Sequence, residues 1–317
     1  MSSPKQHHFV PSTYLRNFQD ARGHIWCYDS KTEKTYSQIP EKIARRGDYN
    51  TASLPDGTID RDTIEAFYGV SETVFPQLVK GIRERSLNFE DQRALINFCA
   101  LQAMRSPLTR DLIAWMAKKY FPADYLPNAL LGVTAHEYSI LRRAREGDQQ
   151  ASDELSLRLS GHFFQHYIRL MENLDFVVIT IKDGGQLITS DNPAYMGGIS
   201  RDHKKKWKIE MNLPDKRLVV IYPISPNTLL FGDRAKAGVF GFRFASIEQS
   251  DALERSVNDI IALSHRTNIF GSSKKIVEEA AALCSKSSED TISKVDIIAA
   301  RVGKVLGYVY SQAKFIK

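Results

Sequence analysis

Apolar positions recur at three- and four-residue steps from about residue 61 to 172, then give way to short β-branched and apolar runs from about 174 to 271. The two patterns predict a helical middle followed by a sheet. In the first stretch Ile64, Phe67, Val70, Val74, Leu78 and Ile82 mark one helix face. Asn88, with Asp91 three residues on, is a helix-start signal for the run Leu95, Phe98, Cys99, Leu101 and Met104, and Pro107 closes that helix. TRDLIAWMAKKYF and AHEYSILRRAREGD read as two more amphipathic helices, and SDELSLRLSGHFFQHYIRLMENL as a long one. In the second stretch DFVVITI, QLITS, KWKIEMN, RLVVIYPIS and NTLLFGD are strand candidates parted by Asp-Gly-Gly, Pro-Asp-Lys and Ser-Pro-Asn turns. SIEQSDALERSVNDIIALSH reads as the helix that closes it.

The two ends differ. In residues 1–60, GHIWCYDSKTEKTYSQI alternates around a Ser-Lys-Thr turn, which is hairpin chemistry, and a loop leads to a helix start at Asp60. From about 272 a Ser/Lys-rich break precedes VDIIAARVGKVLGYVYSQAKFIK, where Val295, Ile298, Val302, Val305 and Val309 share one helix face. The expectation is an α+β fold with an antiparallel or mixed sheet. Residues 1–272 form one compact core: hairpin and loop in 1–60, helices in 61–172, strands plus a helix in 173–272. Residues 273–317 form a C-terminal helical appendage docked on that core with its basic side outward.

Composition changes this picture little. The 317 residues are 43% hydrophobic and 25% charged, enough for a sizeable core without staples. A net charge of +6 eases the approach of anionic partners without itself meaning nucleic acid. Cys27, Cys99 and Cys284 are far apart and form no Cys-x-x-Cys, which fits a reducing compartment. MSSPKQHHFV has no apolar h-region, and no apolar run approaches the ~18 residues of a membrane span. A soluble cytoplasmic protein without a membrane partner is expected.

Several stretches carry candidate chemistry. His8, in HHFVP, has the residue type of a general base, and His-Asn-His nucleases use such a histidine in a similar context. Asn17 follows, but no metal-ligating pair does. The simpler role is an anchor, with Phe9, Tyr14, Leu15 and Phe18 buried. His162 and His166 share one helix face, but Phe163 stands where a zinc protease needs Glu, so core histidines are expected. In QLITSDNPAY, Asp191 sits in a turn at a strand end, where it faces a pocket or caps its own backbone. Arg105, before Ser106-Pro107, suits a phosphate or a buried carboxylate. Lys204, Lys205, Lys206 and Lys208 around Trp207 suit nucleic-acid contact or a solvated hairpin tip. There is no P-loop, dinucleotide fingerprint, nucleophile elbow or kinase motif set.

HHFVPSTYLRNF, IARRGDYN, RSP, LITSDNP, VVIYPISPNTLLF and VNDIIALSHRTNIFGS, in that order, resemble the bacterial domain of unknown function 4238 family over roughly residues 5–272. The family's His-x-x-Pro-x-x-Tyr-Leu-x-x-Phe falls on His8, Pro11, Tyr14, Leu15 and Phe18, its Arg-x-Pro on Arg105 and Pro107, and its Ser-Asp-Asn-Pro on Ser190 to Pro193. A Ser-Pro falls on Ser225 and Pro226, a glutamate on Glu72 and a closing-helix asparagine on Asn258. The resemblance implies a bacterial or phage-satellite protein, and some relatives act in anti-phage defence. It gathers His8, Glu72, Asp191 and Asn192 as catalytic candidates, and Tyr14, Arg105, Ser190 and Asn258 as substrate-binding ones. Two functions follow as expectations. One is a nuclease-like or other hydrolytic effector, with His8 as base, Asp191 and Glu72 on a divalent metal, and Arg105 on a phosphate. The other is a non-enzymatic module that recognises a phage component. Nucleic acid is a partner candidate, and the oligomeric state is left open.

Overall fold

The computed structural model describes residues 6–120, 134–182, 184–201, 206–210, 217–234, 241–248, 251–286 and 291–316. β1 (Gln6–His8) leads into a single helical turn, α1 (Ser12–Leu15), begun at Pro11. β2 (Ile25–Asp29) and β3 (Lys34–Gln38) form the hairpin that the alternation predicts. β4 (Arg45–Gly47) returns to pair with β1, setting His8 opposite Arg45. β5 (Ala52–Ser53) and β6 (Ile59–Asp60) make a second small ribbon.

Five helices follow: α2 (Thr63–Glu84), α3 (Phe89–Arg105), α4 (Pro107–Tyr120), α5 (Ala135–Arg145) and α6 (Gln149–Met171). The Asp60 carboxylate accepts the Asp62 and Thr63 amides at the start of α2. Asn88 and Asp91 form a reciprocal capping box on α3, and Thr134 and Glu137 form another on α5. The face predicted for α2 is only half right. Phe67, Val70 and Val74 are exposed, while Tyr68, Phe75, Leu78, Val79 and Ile82 are buried. The inward stripe runs through Tyr68, Glu72, Phe75 and Val79, because Glu72 has a buried arginine to meet.

The sheet zone contains β7 (Leu174–Ile181), β8 (Thr189–Ser190), β9 (Tyr195–Arg201), β10 (Trp207–Glu210), β11 (Arg217–Ser225), β12 (Thr228–Arg234) and β13 (Gly241–Ile247). Then come α7 (Asp251–Leu263), β14 (Asn268–Gly271), α8 (Lys274–Lys286), α9 (Thr291–Gln312) and β15 (Lys314–Ile316). Two expectations are corrected here. Ser246 and Ile247 end a strand and do not open a helix, since they pair with Thr180 and Ile181. The Ser/Lys-rich break is largely a helix, α8, whose Ile276, Val277, Ala280, Ala281 and Cys284 are buried.

A seven-stranded mixed sheet in the order β10-β9-β11-β12-β7-β13-β15 centres the molecule, with β13 parallel to β7 and the other pairs antiparallel. Its β7 residues alternate between two buried faces. Phe176 and Val178 join a core with the N-terminal segment, α2 and α3, and Val177, Ile179 and Ile181 join a core with α7, α8 and α9. A four-stranded sheet, β3-β2-β14-β8, ties the N-terminal hairpin to the chain around residues 189 and 270. On α9, Ile298, Val302, Val305 and Val309 are buried while Val295, Lys304 and Lys314 are exposed. Arg301 pairs with Asp259 of α7 at 2.6 Å, and β15 extends the sheet edge. The three cysteines are free and buried. No described helix is long and apolar enough to cross a membrane. The His162 and His166 side chains and residues Lys204 and Lys205 lie outside what is described.

Candidate functional site

Three of the expected residues meet in one polar corner. Pro107 cannot continue α3, so the chain breaks at Ser106, whose Oγ then accepts the Thr109 amide at 3.3 Å to restart α4. Arg105, the last residue of α3, is thereby turned inward and is 1% exposed. Its Nη1 donates to Glu72 Oε1 at 2.6 Å, its Nη2 donates to the His8 carbonyl, and its guanidinium lies 4.4 Å from the Tyr68 ring centroid. Such a stacked, fork-bonded guanidinium is not replaceable by a lysine. The half-buried His8 ring hydrogen-bonds the Glu41 backbone, and its Nε2 is buried without a partner among the described residues.

The same corner holds residues the sequence reading missed. His7, fully buried, accepts the Asn50 amide on Nδ1 at 2.8 Å. The Asn50 side chain donates to Glu65, and Tyr49 donates its hydroxyl to the Arg105 carbonyl at 3.0 Å. Arg110, in the first turn of α4, reaches back to the Tyr49 carbonyl and Asn50 Oδ1. Its spacing from Arg105, across the Ser-Pro break, was the available signal. In TRDLIAW it reads as an ordinary solvated helix charge.

Burial, and after it the Arg105 charge, hold the His8 imidazole below its usual pKa, against the opposing pull of Glu72. The sign of the consequence is fixed. In the unfolded chain the group titrates near 6.5, so as pH falls below that value the unfolded state takes up a proton the folded state resists. Stability from this group is therefore lost from about pH 6.5 downward to the lowered folded value. Urea midpoints followed across that window should fall less steeply for His8→Gln than for the wild type. Equal slopes would show that another group is responsible.

Ser190, Asp191, Asn192 and Asn258 make a second cluster, and each is bonded to main chain. Asp191 Oδ1 accepts the Arg266 amide at 2.8 Å, and Oδ2 accepts those of Thr267 at 2.6 Å and Asn268 at 2.9 Å. Burial pushes its carboxyl upward, and those three donors together with His265 pull it back. Ser190 Oγ bonds both the amide and the carbonyl of Asn192. Asn192 Nδ2 donates to the Ser264 carbonyl just past α7. Asn258 accepts the Ile188 amide and donates to the Gln186 carbonyl, each at 2.9 Å, as a neighbouring strand would. Together they pin residues 186–192 to α7 and β14.

Tyr14 joins the first motif to the second. It is 0% exposed, stacks on Tyr222 at 5.3 Å, and its hydroxyl donates to the Pro223 carbonyl at 2.6 Å while bonding Thr189 Oγ1 at 2.8 Å. Among the described residues no three His, Cys, Asp or Glu side chains converge as a metal site. The two carboxylates expected on a divalent ion are already engaged, Asp191 with three amides and Glu72 with Arg105, so this donor set does not fit one.

These features define an α+β protein with a buried histidine–arginine corner beside its N-terminal ribbon. The chain belongs to the family described as "Protein of unknown function (DUF4238)", whose model matches residues 6–275. The match ends within α8, so α9 and β15 lie beyond it. No curated protein and no solved structure matches the chain.

Proposed function

We propose that this chain is a recognition protein of bacterial anti-phage defence, with the His8–Glu72–Arg105 corner as its recognition point, and not a metal-dependent nuclease. The observation that carries this reading is where the carboxylates are spent. A metal nuclease aims acidic oxygens at an ion and at the scissile phosphate. Here Asp191 is saturated by the amides of residues 266–268, and Glu72 neutralises Arg105. His8 Nε2, by contrast, is uncommitted beside a buried cation. The phage setting, and with it the cytoplasmic location, comes from the relatives the motifs resemble.

The test is phage plating on bacteria carrying wild type, His8→Gln or Arg105→Lys, with the fold of each variant checked by circular dichroism. Both folded variants should lose protection by at least tenfold in plating efficiency, and purified wild type should leave DNA and RNA intact with or without magnesium. Magnesium-dependent cleavage that His8→Gln abolishes would reinstate the nuclease.

A further inference from the structure

Arg110 is 1% exposed, yet among the described residues its hydrogen bonds go to neutral oxygens alone: Nη1 to the Tyr49 carbonyl at 2.5 Å and Nη2 to Asn50 Oδ1 at 2.5 Å. Its guanidinium lies 3.9 Å from the Tyr49 ring centroid. Tyr49 touches two more arginines. Arg46 stands 5.2 Å from the same ring centroid and pairs with Asp153 at 3.3 Å, while Arg105, whose carbonyl receives the Tyr49 hydroxyl, pairs with Glu72 at 2.6 Å. Among the described residues no carboxylate pairs with Arg110. It also lies in the first turn of α4, which carries no acidic residue, so the helix N-terminus adds positive potential where a cation is least favoured. A buried guanidinium is normally answered by an anion held against it. Among the described residues the Nε–H groups of both Arg110 and Arg105 are buried without a partner, as is Nε2 of His8. Buried donors left over in one region of a fold call for an acceptor.

We propose that Arg110, together with Arg105, binds a phosphate group at the start of α4. Phosphate has the chemistry the corner asks for. It carries between one and two negative charges at neutral pH and several acceptor oxygens, and it meets a guanidinium edge with two parallel bonds. Binding exchanges the neutral acceptors of Arg110, the Tyr49 carbonyl and Asn50 Oδ1, for a charged one. This assignment rests on the recognition reading above and adds the ligand class to it.

The test uses the full chain and three probes at matched ionic strength: sodium phosphate, adenosine 5′-monophosphate and sodium chloride. Thermal unfolding of the wild type should shift up by roughly 2–4 °C in phosphate at about ten times its Kd relative to chloride. Phosphorus NMR should show the phosphate line broadening on adding protein. Arg110→Gln should abolish both responses, and Arg110→Lys, which keeps the charge and loses the fork, should weaken binding at least tenfold. A response to free phosphate alone identifies the inorganic ion as the ligand, and a stronger response to the monophosphate identifies an ester. Wild type that behaves alike in phosphate and chloride, with no line broadening, overturns the proposal even if neither variant folds. So does a folded Arg110→Gln that responds like wild type. The outcomes separate from those of phage plating: phosphate binding with unaltered protection by the His8 and Arg105 variants sinks the recognition reading alone, and lost protection without phosphate binding sinks this assignment alone.

Discussion

Tyr14→Ala is expected to leave little folded protein at 37 °C. The side chain is fully buried where both halves of the chain meet, against Phe18, Phe75, Phe98 and Tyr222. Truncating a buried aromatic costs about 3–5 kcal/mol, a large share of the roughly 5–15 kcal/mol by which a protein of this kind is stable. The hydroxyl adds to that, because its loss strands the Pro223 carbonyl and leaves Thr189 Oγ1 one partner short inside the core. Tyr14→Phe keeps the ring and isolates this second part, at about 1–3 kcal/mol. Pairing it with Thr189→Val should recover part of the loss, since removing both partners of a buried bond is milder than removing one. Urea unfolding followed by circular dichroism reads all three variants. A Tyr14→Ala protein with a wild-type midpoint would show that the residue serves a ligand and not the core.

The parts of the fold that were legible from the residues are those set by local pattern. The periodicity of α2 to α6, the apolar runs of β7, β11 and β12, and the Asn88–Asp91 box all act within one element. What could not be read is set by partners far away in the chain. β1 is three residues long and exists because Arg45–Gly47 lies against it. The end of β13 looked like a helix start because Ser246 precedes Ile247 and Glu248, but β7 supplies a parallel ladder that a helix would forgo. α8 was hidden because Lys274 and Lys275 are exposed and its apolar stripe begins only at Ile276. On α2 the apolar positions alone misplaced half the buried face, since the inward Glu72 is legible only once Arg105 is known to be there.

The polar corner divides the same way. His8, Glu72 and Arg105 could be named from the motifs, and they meet. Arg110 could not, because burial of a charged helix residue leaves no mark on periodicity, and Asn50 sits in a turn that carries no periodic pattern. The Ser190-to-Pro193 turn could be recognised as a motif, but its carboxylate answers amides some 75 residues downstream, and nothing local announces that.

Asp191→Asn therefore makes the sharpest separation between a working residue and a structural one. The substitution preserves size and removes the charge. Three amides, those of Arg266, Thr267 and Asn268, converge on the two carboxylate oxygens. An asparagine offers one oxygen to them and turns an NH2 toward the remaining donors, so one or two buried N–H groups lose their acceptor at roughly 1–3 kcal/mol each. The damage spreads, because those amides order the approach to β14, which holds β2 of the N-terminal hairpin on one side and β8 on the other. The expected outcome is a drop of several degrees in Tm, with amide exchange accelerated in residues 266–271 and in β2. Any loss of the phage protection proposed above should then follow the loss of folded protein and be restored at a lower growth temperature. If the folded Asp191→Asn chain instead keeps its Tm and its exchange protection while protection from phage disappears, the carboxylate acts on a ligand, and the structural assignment of this turn fails.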